Sequence, residues 1–227
     1  LSFRDEGYGS VSKNGEINRY SLTEILLRNN LSHLFLTGPL EPDPYHVNSV
    51  HIAKRSFPSK EIKKGDVLLS LRHKSMILQY RPSEDLVVWH KAGPWLNQHD
   101  ARFKDNGKIS LFNNNVISVI NQRTAENYYF NGDFKNNIIN YDKETEEVSE
   151  QYSNCIEKIS NDIFTITGGF VYFDDSKAII EYTDKGLTVV CSLESSEIEI
   201  FGKITENGLS RGGGLTQNWL QNFNASR

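Results

Sequence analysis

One histidine phrase occurs twice in this chain, as YHVNSV at residues 45–50 and as QHDARF at residues 98–103. Each copy leads into a short β-like run, such as VLLSLR at residues 67–72. The two histidines, His46 and His99, are 53 positions apart, which is on the scale of a repeated four-stranded unit. The repeat predicts that both imidazoles open equivalent strands of neighbouring units and lie close together.

The pattern from residue 46 onward predicts three sets of short strands. Alternating apolar runs are separated by turns rich in Gly, Pro, Asp and Ser, as in the blades of a propeller. The predicted strands are 46–53, 66–72, 75–81 and 86–90, then 99–103, 108–113, 137–141 and 146–152 around a polar insert at 114–135, then 163–173, 177–183, 187–193 and 197–204. We therefore predict an all-β fold, a partial or divergent β-propeller with about three to four recognisable blades.

The N-terminal part differs from the rest. Residues 1–20 show no apolar period and are predicted to be irregular, whereas Ser21 and Glu24 form a capping-box pattern before a short helix over 22–29. Residues 34–36 are predicted to be a strand or an apolar anchor. The predicted organisation is an N-terminal loop and short helix at 1–45, propeller blades at 46–207 and a polar C-terminal tail at 208–227.

Composition limits the classes of function. The net charge is −4 with 24% charged residues of both signs, and no basic stripe predicts nucleic-acid binding. No apolar stretch is long enough to span a membrane. Cys155 and Cys191 have no metal-ligand spacing, and we favour two free thiols over a disulfide, which the sequence leaves open. The sequence does not predict an oligomeric state.

Strand alternation selects among the six histidines, which all lie between residues 33 and 99. In a regular strand His46 shares a face with Asn48, whose amide can orient an imidazole or a ligand oxygen, while His51 lies on the opposite face. Arg72 ends an apolar strand and allows two interpretations, a strand-end charge in solvent or a planar fork for an anion. His73 is expected on the opposite side from Arg72.

The second phrase suggests chemistry at His99. No nucleophile motif stands beside it, so a catalytic His99 would itself be the nucleophile, because a neutral imidazole can take an electrophilic group directly. Residues 113–115 are predicted to be a turn, and Asn114 is a candidate substrate contact together with Asn48. Trp95 is a candidate lining residue for an aromatic substrate, and packing between blades is the competing interpretation.

The segment from residue 43 to 115 resembles the bacterial arylsulfotransferases. The phrases that carry the resemblance are HVNSV at 46–50, DVLLSLRHKS at 66–75 and QHDA at 98–101, extended by NGKISLFNN at 106–114. Members of this family are six-bladed β-propellers that transfer a sulfuryl group from a phenolic sulfate ester to a phenol, with no nucleotide sulfate donor and no cofactor.

The resemblance implies roles for three residues. His99 matches the histidine that is transiently sulfated, His46 matches a second active-site histidine, and Arg72 matches the arginine that binds the sulfuryl oxygens. A further histidine of the family has no match in this chain. The resemblance also favours a periplasmic or other extracytoplasmic location. The implied partners are small molecules, an aryl sulfate and a phenol.

Two other functions compete with this interpretation. A propeller could bind a ligand or a protein without catalysis, since a fold hosts many functions. A metal site of His46, His73 and His99 fits poorly, because alternation separates these side chains and no carboxylate is evidently placed beside them. We therefore predict no metal and no cofactor.

Overall fold

The computed structural model describes residues 4–36, 42–120, 127–130, 135–160, 165, 168–172, 177–182, 187–192, 198–205 and 208–210. The described chain consists mostly of antiparallel β-sheet with few helices, which confirms the all-β prediction. It divides into two compact units, residues 1–151 and 152–227.

The first unit begins with a hairpin where we expected irregular chain. Strand β1 (Gly7–Val11) pairs with β2 (Ile17–Ser21). The hairpin escapes detection because most of its positions are polar residues or Gly, and the directly opposed Tyr8 and Tyr20 stack with ring centroids 4.5 Å apart. Two helices follow, α1 (Leu22–Arg28) and α2 (Ser32–Leu36).

The predicted N-cap at Ser21 is confirmed, whereas the Glu24 carboxylate contacts Arg28. The hydroxyl of Ser21 accepts a hydrogen bond from the backbone N–H of Glu24 at 3.1 Å, and Asn29 closes the helix. The expectation of a strand or apolar anchor at residues 34–36 missed α2, since three apolar residues in a row carry no helical period.

Two four-stranded antiparallel sheets form the body of the first unit. The first sheet runs in the order β3 (Val47–Ile52), β4 (Val67–Leu71), β5 (Met76–Arg81) and β6 (Leu86–Ala92). The next strands in the chain are β7 (His99–Phe103), β8 (Ile109–Asn113), β9 (Ile117–Ile120), β10 (Asn127–Phe130), β11 (Asn137–Tyr141) and β12 (Val148–Gln151). The second sheet has the order β12-β11-β8-β7, and β9 pairs with β10 as a hairpin inside the predicted polar insert.

Strands β4 and β5 are buried on both faces, and this places the core. Leu68 and Ile77 of the first sheet belong to one buried cluster with apolar side chains of the second sheet, so the two sheets pack face to face. The second sheet contributes Phe103, Leu111 and Ile139 to this cluster. On the other face, alternate residues such as Leu69 pack against the apolar side of α1. The continuous apolar run of β4 follows from this double burial.

The second unit contains one five-stranded antiparallel sheet and a helix that the sequence did not predict. Helix α3 (Ser153–Ser160) precedes the strands, which are β13 (Gly169–Tyr172), β14 (Lys177–Tyr182), β15 (Leu187–Ser192), β16 (Ile198–Thr205) and β17 (Gly208–Ser210) in that order. The segments between the predicted strands at 174–176 and 184–186 and the end of the predicted tail, 211–227, lie outside the described residues.

The favoured interpretation of two free thiols is wrong. Cys155 of α3 and Cys191 of β15 form a disulfide with their Cα atoms 5.8 Å apart. Spacing along the chain did not show this pairing, because 36 residues separate the two cysteines and only the fold brings them together.

Candidate active site

The two histidine phrases meet at one end of the paired sheets. Strands β3 and β7 lie side by side and run in the same direction, because the Asn48 amide donates to the Gln98 carbonyl at 2.7 Å and the Phe103 N–H donates to His51 Nδ1 at 3.2 Å. His46 directly precedes β3 and His99 opens β7. Their backbones therefore lie at the same end of neighbouring strands.

His46 is held by a carboxylate that the sequence analysis missed. Asp43 accepts from the His46 backbone N–H through Oδ1 at 3.1 Å and from the ring Nδ1–H through Oδ2 at 2.7 Å. Burial alone raises the pKa of Asp43, but the hydrogen bond to His46 and the charges of His46 and His73 outweigh it and hold that pKa below its ordinary value. The signal in the sequence was an Asp three residues before a His, which is also a common turn pattern.

The expected alternation fails at the start of β3. His46 has a left-handed backbone with φ 51°, and the register to β4 shifts between Val47 and Ser49. His46 therefore lies outside the regular strand, and its ring direction does not follow from counting along the chain.

Alternation also fails after β4, where Arg72 to Lys74 form a 3₁₀ turn. The Arg72 N–H donates to the His46 carbonyl at 3.1 Å, and the His73 Nδ1–H donates to the Asp43 carbonyl at 2.7 Å. The His73 and His46 rings consequently lie 4.5 Å apart between centroids. Burial lowers the pKa of His73, and the charges of His46 and Arg72 lower it further against the effect of its contacts with Asp43.

The structure corrects the reason given against a metal site. One ligand atom each from Asp43, His46 and His73 lies within 4.8 Å of the others, so a carboxylate is in fact well placed. His99 does not belong to this group. The three side chains could hold a cation, although Asp43 Oδ2 already accepts from His46 and lies 4.0 Å from Arg4 Nη1.

Arg72 is buried, with 6% of its surface exposed. This excludes the interpretation of a strand-end charge in solvent. A buried guanidinium is stable only where polar or negatively charged groups surround it, and the Arg72 backbone is bonded to that of His46, so an anion-binding role for Arg72 stays a prediction.

The orientation of His99 is set by Asn114. The Asn114 amide nitrogen donates to the Asn97 carbonyl at 2.5 Å and to His99 Nδ1 at 3.0 Å. Because a carbonyl only accepts, the Asn97 contact identifies the nitrogen end of the amide, and His99 Nδ1 must accept. In the neutral ring the proton is then on Nε2. Asn114 is fully buried, and its direct contact with a substrate stays a prediction.

The buried amide of Gln98 joins the segment before His99 to the first sheet, and the sequence analysis did not predict this contact. Gln98 is fully buried, and its Nε2 donates to the Met76 carbonyl at 2.8 Å and the Ser70 hydroxyl at 3.0 Å. The neighbouring oxygens Asn48 Oδ1 and Gln98 Oε1 are buried without a hydrogen-bond partner among the described residues. In a regular strand a residue next to His99 is expected to point away from it, and this is why Gln98 was not a candidate.

Trp95 lies in the core between the sheets. It is fully buried and meets Tyr141 edge to face with ring centroids 5.6 Å apart. This is the packing role that competed with substrate binding in the sequence analysis. Its role in substrate binding is supported by none of these contacts and stays a prediction.

Comparison with known proteins identifies the class. Residues 10–192 match the model of the family described as Arylsulfotransferase (ASST). The match covers most of the chain, so the chain belongs to the arylsulfotransferase family, and at the level of that family its function is sulfotransferase-like. No curated protein matches the chain. Within the part of the chain that the structure describes, every helix is too short or too polar to cross a bilayer.

Proposed function

We propose that this protein transfers a sulfuryl group from an aryl sulfate ester to a phenol through a sulfated histidine, without a nucleotide sulfate donor or a cofactor. The observation that supports the proposal is that His46 and His99 stand at the same end of adjacent strands β3 and β7, with the Arg72 N–H bonded to the His46 carbonyl. Family membership supplies the class of reaction.

The chemistry suits these side chains. Negative charge builds on the sulfuryl oxygens and on the departing phenolate, and a buried cation stabilises it most when it is held in place before the reaction. Arg72, which is buried and whose backbone N–H binds the His46 carbonyl, is the proposed source of this charge. The proposed nucleophile is His99, with Asn114 holding its ring from Nδ1 so that Nε2 faces the reaction.

We also propose that the two sheets of the first unit are blades of a β-propeller. Each is a four-stranded antiparallel sheet that begins at its inner strand, β3 or β7, and these two strands lie side by side as neighbouring inner strands do. The other face of the first sheet is already covered by α1 and α2. In the proposed propeller these helices take the position that another blade would have in a closed ring.

An extracytoplasmic location is part of the proposal. The Cys155–Cys191 disulfide supports it, because such bonds persist in oxidising compartments and are rare in the cytosol of most organisms.

A non-catalytic anion-binding role is the second candidate. The observation that favours it is the tautomer of His99, since an Nε2–H and a buried guanidinium are both donors to an anion. Such a protein would bind an aryl sulfate reversibly without forming a covalent bond.

The test is a mass measurement on the whole protein. Incubation with 4-nitrophenyl sulfate and quenching at high pH should add the mass of one sulfuryl group, and peptide mapping should place it on His99. The His99→Asn variant should lose the label, whereas His90→Asn on strand β6 should keep it. Binding of the ester without any added mass would favour the second candidate and contradict the first.

A further inference from the structure

We propose that Asp43 is a positioning residue that holds His46 as the proton-transfer group of this site. The inference rests on the proposed function and deepens it. No other side chain among the described contacts of His46 grips both its backbone and its ring.

The two contacts define the chemical state of His46. A carboxylate only accepts hydrogen bonds, so the 2.7 Å contact from Asp43 Oδ2 places a proton on His46 Nδ1. The lone pair of the neutral ring is then on Nε2, which can accept a proton. The second contact, from the backbone N–H to Oδ1, restrains the residue that carries the ring.

The backbone of His46 is held in a conformation that few residues with a side chain adopt. Its φ of 51° lies in the left-handed region, which costs on the order of 1 kcal/mol for such a residue. The Asp43 carboxylate on one side and the Arg72 N–H on the other fix this conformation. The strained backbone therefore sets the direction of the His46 ring, and the extended strand begins only after this residue.

Charged and titratable groups approach the Asp43–His46 pair from two other segments of the chain, the 3₁₀ turn after β4 and the residues before β1. His73 and Arg72 approach from the 3₁₀ turn after β4. Glu6, before β1, accepts from the Val47 N–H at 2.6 Å, and burial raises its pKa together with the nearby charge of Asp43. Arg4 lies 3.8 Å from Glu6 Oε1 and 4.0 Å from Asp43 Oδ2, so it offsets part of the negative charge.

The tautomers of the two histidines are complementary. His99 carries its proton on Nε2, the atom that would attack sulfur, whereas His46 carries its proton on Nδ1. In the first half-reaction His46 Nε2 takes the proton from His99 Nε2, and the lone pair freed there forms the Nε2–S bond. The S–O bond to the aryl group breaks, its electron pair goes to the phenolate, and His46 gives the proton to the phenolate, which leaves as a phenol.

The second half-reaction reverses these steps. The incoming phenol gives its proton to His46 and attacks sulfur through its oxygen. The Nε2–S bond breaks, its electron pair returns to His99, and His46 returns the proton to Nε2. No oxidant, reductant or cofactor enters the balance.

The experiment compares leaving groups. A phenolate that leaves readily, from 4-nitrophenyl sulfate, needs little proton assistance, whereas phenyl sulfate needs more. Asp43→Asn should lower kcat for phenyl sulfate by roughly 100-fold, in the range of a lost general acid–base contribution, and lower kcat for 4-nitrophenyl sulfate far less. KM should change little for both substrates, and Asp43→Glu should restore part of the activity.

The matched control is Asp105→Asn. Asp105 is an exposed aspartate in the loop after β7, and it forms an ion pair with Arg55. The Asp105→Asn variant should have the same kcat as wild type for both substrates. Melting temperatures of all variants separate a folding defect from a catalytic one.

Three outcomes would overturn the inference or its basis. Equal loss of kcat for both esters would make Asp43 merely structural. A stoichiometric divalent metal in the purified wild type that Asp43→Asn abolishes would make the cluster of Asp43, His46 and His73 a metal site instead. Absence of sulfuryl transfer by the wild-type protein would refute the proposed function itself, which is a different result from either of the others.

Discussion

Backbone conformation at single residues influences the direction of the side chains of the candidate histidines. His46 and Asp100 both have φ near 50°, and the strand register shifts beside each of them. Such shifts re-aim side chains that period-2 counting would place on a fixed face. The candidate histidines were therefore found from the sequence, whereas the partner of each imidazole was not.

The first prediction concerns His51 and acid. His51 Nδ1 accepts from the Phe103 N–H at 3.2 Å, which requires an unprotonated Nδ1. Burial, followed by the charges of Arg102 and Lys54, lowers the pKa of His51 below 6.5. Since the folded-state pKa is the lower one, its contribution to stability is complete above about pH 6.5 and is lost as the pH falls through the folded value.

The free energy of unfolding should therefore decrease between about pH 7.5 and 5.5. Burial lowers the pKa of His73 and His90 as well, so they act in the same direction. Urea titrations at the two pH values check this. His51→Asn should show a smaller decrease than wild type, and a decrease as large as that of wild type would contradict the assignment.

Strands and their pairings carry the next level of organisation. The first sheet contains a buried polar cluster in which Arg81 donates to both carboxylate oxygens of Asp66, at 2.8 and 3.0 Å, and Gln79 donates to the same carboxylate at 2.6 Å. Asp66 is 1% exposed. This cluster ties the turn before β4 to strand β5, so it fixes the register of strands that are otherwise uniformly apolar.

The second prediction is the cost of breaking this cluster. Arg81→Met should lower the free energy of unfolding by about 3–5 kcal/mol, because it leaves a buried carboxylate without its cation. The double variant Asp66→Leu/Arg81→Met should recover part of that loss. Lys63→Met breaks the exposed Lys63–Glu84 pair and should cost less than about 1 kcal/mol. Similar losses in Arg81→Met and Lys63→Met, measured by urea unfolding, would refute the prediction.

At the scale of the whole molecule, each unit has its own means of burying a sheet. The first unit packs two sheets face to face and covers the remaining face with the N-terminal helices. In the second unit a disulfide links helix α3 to strand β15. The cover provided by α1 matters because an apolar sheet face left in water would be an aggregation site.

The third prediction tests that cover with neighbouring leucines. Leu26 of α1 is 1% exposed and packs on the first sheet, whereas Leu27 is 56% exposed. Leu26→Ala should lower the free energy of unfolding by about 2–5 kcal/mol, and Leu27→Ala should change it by less than about 0.5 kcal/mol. Urea unfolding of the two variants checks the difference. Equal effects would mean that α1 does not cover the sheet.

The sequence by itself determined the elements whose signals are local. Apolar runs between turns predicted the eight strands of the two stacked sheets, and the Ser21 cap predicted α1. The repeated phrase also predicted that His46 and His99 stand near the starts of neighbouring strands, and they lie just before β3 and at the start of β7. These features depend on residues within a few positions of one another, where periodicity and capping act.

Only the tertiary structure decided which residues meet. The pairing of Cys155 with Cys191, the approach of His73 to His46 and the contact of Gln98 with the first sheet all join residues more than 20 positions apart. Asp43 is close to His46 in sequence, but its role depends on a left-handed bend that no period predicts. The physical reason is that bulges, 3₁₀ turns and packing between sheets set side-chain direction, and these arise from contacts that a local pattern does not contain.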